Sequence, residues 1–170
     1  MNPLSGHLHQ ISVSNGGVPK LPVTEAWVSF QGVKGDRQRS LAVHGGPDRA
    51  VCLFSLEAIE ALRREGHSIA PGSSGENLTV AGVQWSTLGP GDQIRIGRTV
   101  ELQVFSYTAP CKLNAQWFQG GNYRRISQKH HPGWSRLYAR VLSEGLVRTG
   151  DTVQIVRSSM FEVRREEIVR

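Results

Sequence analysis

The chain has 170 residues, 38% hydrophobic and 20% charged, with 19 glycines, 8 prolines, 2 cysteines and a net charge of +6. No apolar run approaches the roughly 18 residues that span a bilayer. The start, MNPLSGHLHQ, lacks the apolar region of a signal peptide, and Cys52 and Cys111 make neither a disulfide framework nor a CxxC zinc pattern. A cytoplasmic protein without a membrane partner is therefore expected, with both thiols free.

Glycine and proline spread in this way suit short elements joined by tight turns, so one mainly β domain is expected. In chain order, Leu8 to Val13 reads as a strand, Asn15 to Gly17 as a turn, and Glu25 to Phe30 as a second strand. Gly32 to Arg37 holds two glycines around a Lys and an acid, which reads as a plain turn or as a loop whose backbone approaches something closely. His44, Gly45, Gly46, Pro47, Asp48 and Arg49 form a polar turn feeding the strand Ala50 to Phe54. His44 is either a group that exchanges protons near neutral pH or a turn cap, and Arg49 can pair with Asp48 or with an anion.

Ser55 is an N-cap for a helix with Ala58, Ile59 and Leu62 on its apolar stripe and Arg63, Arg64 and Glu65 on its wet side. A loop at Pro71 to Gly75 leads into Glu76 to Val80, and Leu88 to Asp92 turns into a strand over Gln93 to Ile96. Val100, Leu102 and Val104 alternate with Glu101 and Gln103, the period of a half-buried strand that Pro110 ends. Cys111 to Phe118 follows as a short helix with Leu113 and Trp117 on one face. Cys111 then sits at a helix N-terminus beside Lys112, a setting that favours thiolate, the form that attacks electrophiles and binds soft metals. The alternative is a small buried cysteine.

Gly120 to Asn122 and His130 to Gly133 read as loops, because adjacent histidines on an extended chain point apart rather than toward one metal. Trp134 to Val141 and Thr152 to Val156 close the pattern, joined through Gly145 and Gly150, and residues 157–170 form a charged tail. Residues 98–148 hold eight Lys and Arg against two acids, so the charge excess surrounds Cys111 in sequence. Such a region could hold a phosphate-bearing cofactor or the backbone of a nucleic acid, or be solvated surface. Without an RNP-type or helix-turn-helix pattern, nucleic acid is the disfavoured partner.

Taken together, GVKGDRQ (32–38), HGGPDRAVC (44–52), GENLTVAG (75–82), LGPGDQIRIG (88–97), APCKLN (109–114) and LYARVLSEGLVRTGDTVQIV (137–156) resemble the MOSC domain family, in particular its stand-alone, YiiM-like bacterial members. The resemblance implies a single domain over residues 1–156, built as a MOSC-type β-barrel with a few short helices. It also implies that Cys111 ligates the metal of a molybdenum cofactor (molybdopterin) or carries persulfide sulfur. His44 would join Cys111 in catalysis, while Gly45, Gly46, Arg49, Glu76, Asn77, Lys112 and Arg136 would line or support the cofactor pocket.

The function so implied is reduction of N-hydroxylated small molecules such as N-hydroxylated purine bases, with electrons from a separate reductase. A sulfur or cofactor carrier is the alternative, and a homodimer is the oligomer considered. The expected site is one concave surface uniting His44, Asn77, Cys111 and Arg49 or Arg136, with Cys52 buried, inert and raised in pKa by its apolar setting.

Overall fold

The structure, a computed structural model, describes residues 4–37 and 45–157. Its strands are β1 (Ser5–Val13), β2 (Leu21–Val23), β3 (Glu25–Ser29), β4 (Gly32–Val33), β5 (Val51–Ser55), β6 (Leu78–Ala81), β7 (Gln93–Ile96), β8 (Val100–Tyr107), β9 (Leu137–Ser143), β10 (Gly145–Arg148) and β11 (Thr152–Val156), with one α-helix, α1 (Leu56–Arg64), among the described residues. Neighbours run β11, β7, β8, β9, β5, β6, β1, and β1 pairs back onto β11, so seven strands close into a barrel while β2 extends one edge. A small second sheet orders β10, β3 and β4. The mainly β barrel with few short helices is thus the architecture the sequence led us to expect.

The barrel is antiparallel except where β5 runs parallel to β6. Parallel neighbours need a long crossover, and α1 supplies it. Ser55 caps that helix, its Oγ accepting from Ala58 N at 3.1 Å, and Ile59 and Leu62 are buried while Arg63 and Arg64 stay exposed. In β5 every residue is buried, and Phe54 meets Trp85 edge to face at 6.3 Å. Along β8 the expected alternation holds, with Val100, Leu102 and Val104 at 1%, 0% and 1% exposure.

A register shift between Val104 and Ser106 marks a bulge, which turns the end of β8. Beyond it Thr108 N still donates to Arg136 O at 3.0 Å, so the chain reaches Cys111 tied to the start of β9.

Several expectations are corrected. The helix after Pro110 is a 3-10 helix over Lys112–Trp117 with Cys111 as its N-cap. Its period of three aligns 111, 114 and 117 rather than 113 and 117, so Asn114 is buried and Leu113 is 48% exposed. Two turns of 3-10 helix also lack the long macrodipole that an α-helix would aim at Cys111. β9 begins at Leu137, because the Ser135 hydroxyl turns to Thr108 O at 3.1 Å before the ladder starts. Gly145 opens β10 against Val28, where a linker was expected.

Arg157, at the start of the expected tail, anchors on Thr87 and on Asp92 at 3.1 Å; the rest of that tail lies outside the described residues. Among the described residues no helix is long and apolar enough to cross a membrane.

Candidate functional site

A cavity of about 440 Å³ opens at the end of the barrel where β5, β9 and the Cys111 turn meet. Its lining brings together Cys111, Asn77 and Arg136 of the expected set, with Cys52, Tyr138, Ser74, Gly75 and Asn114 beside them. His44 lies outside the described residues. Gly45, Gly46, Arg49, Glu76 and Lys112 do not line the cavity, and the reasons differ. Lys112 is exposed and lies off the 111, 114 and 117 line, on which Asn114 is buried and Cys111 and Trp117 are half-buried. Arg49 stands behind the wall, its guanidinium 5.7 Å from the Tyr138 ring centroid.

Glu76 lies beneath the wall, fully buried, where Gly72 N donates to it at 2.7 Å and the Ser74 hydroxyl at 2.8 Å. It therefore shapes the loop carrying Ser74 and Gly75. Burial pushes its carboxyl above the usual carboxylate range, against the pull of the Gly72 N–H, Ser74 and Arg136. A carboxyl raised in the folded state holds its proton better there than in the unfolded chain, so its stability contribution is full below the ordinary glutamate pKa. That contribution drains away as pH rises through the raised value. Glu76→Gln should flatten this part of the pH dependence of the urea midpoint; an unchanged slope above the ordinary carboxylate range would show that Glu76 is ionised in the folded protein.

Asn77 is spent on the fold: its Oδ1 accepts from Cys52 N at 3.1 Å and its Nδ2 donates to Asp36 at 2.9 Å and to Ser12 O at 3.3 Å. Asp36 also takes Lys20 Nζ at 2.6 Å and Ser14 N at 2.8 Å, which neutralises the lysine at the cavity edge. Arg136 is held differently. Its Nη1 donates to Ser74 O at 2.6 Å and its Nη2 to Ala109 O at 3.4 Å, and among the described residues it has no carboxylate in salt-bridge contact and its Nε has no partner. At 5% exposure this is a largely buried cation facing a cavity, a setting that attracts anions.

The charge cluster read from residues 98–148 disperses in space. Arg125 pairs with Glu65 at 2.7 Å, Arg140 with Asp48 at 3.2 Å and Arg148 with Glu25 at 3.0 Å. The cavity instead recruits Lys20 and Arg37 from the N-terminal third. The GVKGDRQ segment was the signal for Arg37 and Asp36, through its reading as a loop that approaches something closely.

Cys111 is half-buried and Cys52 is 5% exposed, as expected, yet Cys52 also lines the cavity. Burial pushes the Cys52 thiol up, outweighing Arg136. Tyr138, opposite Cys52 in the ladder, is pushed up to about 12 by burial and then by the nearby Cys52 sulfur, so its phenol keeps its proton at neutral pH. Cys52→Ser should cost about 1–3 kcal/mol if the new hydroxyl goes unpaired. Chemical denaturation checks this, and a variant as stable as the parent would mean that the Thr108 hydroxyl accepts the new one.

Gly75 sits at φ 96°, where a Cβ would come within 3.2 Å of Val18 Cγ1 and 3.8 Å of Arg136 Nη1. Both the positive φ and the close approach of Val18 call for glycine at this point of the wall.

Comparisons with known proteins agree with this architecture. The MOSC domain model matches residues 40–154. The Bacillus subtilis (strain 168) protein YflK, described as uncharacterized, is 33% identical over 145 residues, which is 82% of this chain and 63% of YflK. A protein named reductase from Gibberella moniliformis is 30% identical over 133 residues, 75% of this chain and 23% of that protein. The chain therefore spans less than two thirds of the length of either relative. The crystal structure of YiiM from Geobacillus stearothermophilus superposes with a TM-score of 0.67 at 25% identity, covering 89% of this chain and 75% of that one.

Proposed function

Because the chain belongs to the MOSC domain family, we propose that it holds a molybdenum cofactor through Cys111 and reduces N-hydroxylated compounds, N-hydroxylated purine bases among them. The observation that carries this reading is a half-buried thiol opening onto a cavity whose wall holds a largely buried arginine with no carboxylate partner among the described residues. The residues present fit such a group. Cys111 is a soft donor for a thiophilic metal, and Arg136 suits an anionic substituent such as a pterin phosphate. A protein named reductase among the relatives is in keeping with redox chemistry.

When bound, the cofactor would supply the redox couple and a Lewis acid for oxygen removal. The net reaction takes R–NHOH with two electrons and two protons to R–NH₂ and water, the electrons coming from a separate reductase. The chain's own residues bind, orient and hold protons. Cys111 would hold the metal and Arg136 an anionic group of the cofactor. Tyr138 keeps a proton available at the wall, and Asp36 with Asn77 locks the loop that carries Lys20. His44 stands in this scheme by family resemblance. A single MOSC domain over 1–156 acting in the cytoplasm completes the reading, with no nucleic acid or membrane partner and with homodimerisation open to a sizing experiment.

The test is molybdenum analysis and intact mass of protein purified from a molybdopterin-producing host, with reduction assayed using reduced viologen. Bound molybdenum with turnover supports the reading. Protein without metal whose Cys111 carries one extra sulfur atom would replace it with a persulfide carrier.

A further inference from the structure

The walls of the cavity are unequally held. Asn77 is fixed by its three side-chain hydrogen bonds, the Ser74–Gly75 loop by Glu76 and Arg136, and the Cys111 turn by Thr108 N on Arg136 O. A further wall is the strap from Ser14 to Lys20 between β1 and β2, of which Gly17, Val18 and Lys20 line the cavity. Both feet of this strap stand on one carboxylate. Asp36, its side chain 4% exposed, accepts from Ser14 N at 2.8 Å at one end and from Lys20 Nζ at 2.6 Å at the other. Two backbone bonds reinforce the feet, Arg37 N to Ser14 O at 2.8 Å and Lys20 N to Gly72 O at 2.9 Å.

Between the feet the strap is barely tied. Among the described residues, the one hydrogen bond that reaches residues 15–19 comes from the strap's own foot, Ser14 Oγ to Gly17 O at 2.9 Å. Asn15, Gly16 and Pro19 are exposed, and a Cβ at Gly16 or Gly17 would meet nothing within 4 Å. What the crest sets against the barrel is Val18, whose Cγ1 would stand 3.2 Å from a Cβ at Gly75. Val18 is not among the hydrophobic residues packed on the core. A span with so few buried apolar contacts and no hydrogen bond to the body opens locally while the rest stays folded.

The lining groups call for such an opening. Cys52, Asn114 and Arg136 face the cavity yet are only 5%, 1% and 5% exposed, so a molecule reaches them once a wall yields. We propose that residues 15–19 are a gate over the cavity, with Asp36 as the latch that fixes both hinges and Val18 as the bolt against Gly75. Loops of this kind move between microseconds and milliseconds. Asp36 is then a positioning residue, acting through the strap. The gate concerns access alone and does not depend on which group the cavity takes.

The test uses Cys52 as a probe inside the gate, in a Cys111→Ala background where it is the one thiol of the chain. Full-length protein from a pterin-deficient host is labelled with methyl methanethiosulfonate, which is small, and with dithiobis(nitrobenzoate), which is bulky, each rate being taken relative to that on glutathione. The series runs over urea concentrations below unfolding. With the gate closed the bulky reagent should be the slower, and its rate should be flat at low urea, because a local opening exposes little new surface. Val18→Ala and Asp36→Asn should each raise the bulky rate by roughly tenfold or more while the low-urea region stays flat. Equal relative rates for the two reagents would mean that the cavity stands open, and overturn the gate. So would a bulky rate that climbs with urea from the outset at the slope of global unfolding, or variants that label no faster than their parent. Where Asp36→Asn does not fold, Val18→Ala decides alone. Protein that takes up no molybdenum in a competent host would sink the cofactor reading and leave the gate standing.

Discussion

Cys111→Ser should strip molybdenum from the protein and lower N-hydroxy reduction by more than the ~100-fold that loss of a merely supporting residue costs at metal sites. A hydroxyl is a hard and weakly acidic donor, so it neither ionises near neutral pH nor suits a thiophilic metal. The fold should be indifferent to the change. Cys111 is half-buried and caps a 3-10 helix through its backbone, with no side-chain hydrogen bond at the cap, so stability should move by no more than about 0.5 kcal/mol. Metal analysis and thermal unfolding of one preparation check both halves. A Cys111→Ser protein that retains metal and turnover would end the ligand assignment, and one that fails to fold would make the residue structural.

Arg136→Leu is the second change with a large expected effect, and here stability and binding should fall together. The guanidinium joins two segments, Ser74 on the loop before β6 and Ala109 before the Cys111 turn, through charged donors worth about 1.5–3 kcal/mol each. The weaker contact at 3.4 Å should contribute at the low end. Leucine also removes the positive neighbour that holds down the Glu76 carboxyl and the Cys52 thiol, so both should rise further. The expected readouts are a lower urea midpoint, a steeper loss of stability above the glutamate range, and loss of affinity for an anionic ligand such as inorganic phosphate. An unchanged urea midpoint would mean that the two carbonyls find other donors.

The strands were legible where they carry a plain period of two, as in Val100, Leu102 and Val104, and the helix because Ser55 announces it; the closure into a barrel was implied by the family resemblance. Short strands escaped notice: β2 and β4 are three and two residues long, too brief to show a period. The Cys111 turn was assigned the wrong face because a 3-10 helix and an α-helix look alike over six residues until one knows which side is covered. Within the site, Cys111 and Asn77 emerged from the motifs and Arg136 from the basic stretch over residues 98–148. Glu76 supports the wall from behind rather than lining it, a choice left open because sequence cannot distinguish a carboxylate that faces a ligand from one that braces the loop behind it. The charge count misled for a related reason: partners such as Glu65, Asp48 and Glu25 lie far away in the chain and neutralise arginines that look clustered.

The pairing of Ser5 with Gln154 and of His7 with Thr152 has a consequence for how the protein is made. β1 leaves the ribosome well ahead of β11 and cannot find that neighbour until residues 152–156 have been translated. Contacts so distant in sequence make for slow closure, on the millisecond-to-second scale typical of β topologies. β6 can dock on β1 earlier, but the ring stays open, with an unpaired edge on each side of the gap, until β11 arrives. A chain stalled short of residue 152 would therefore expose two sticky edges to its neighbours.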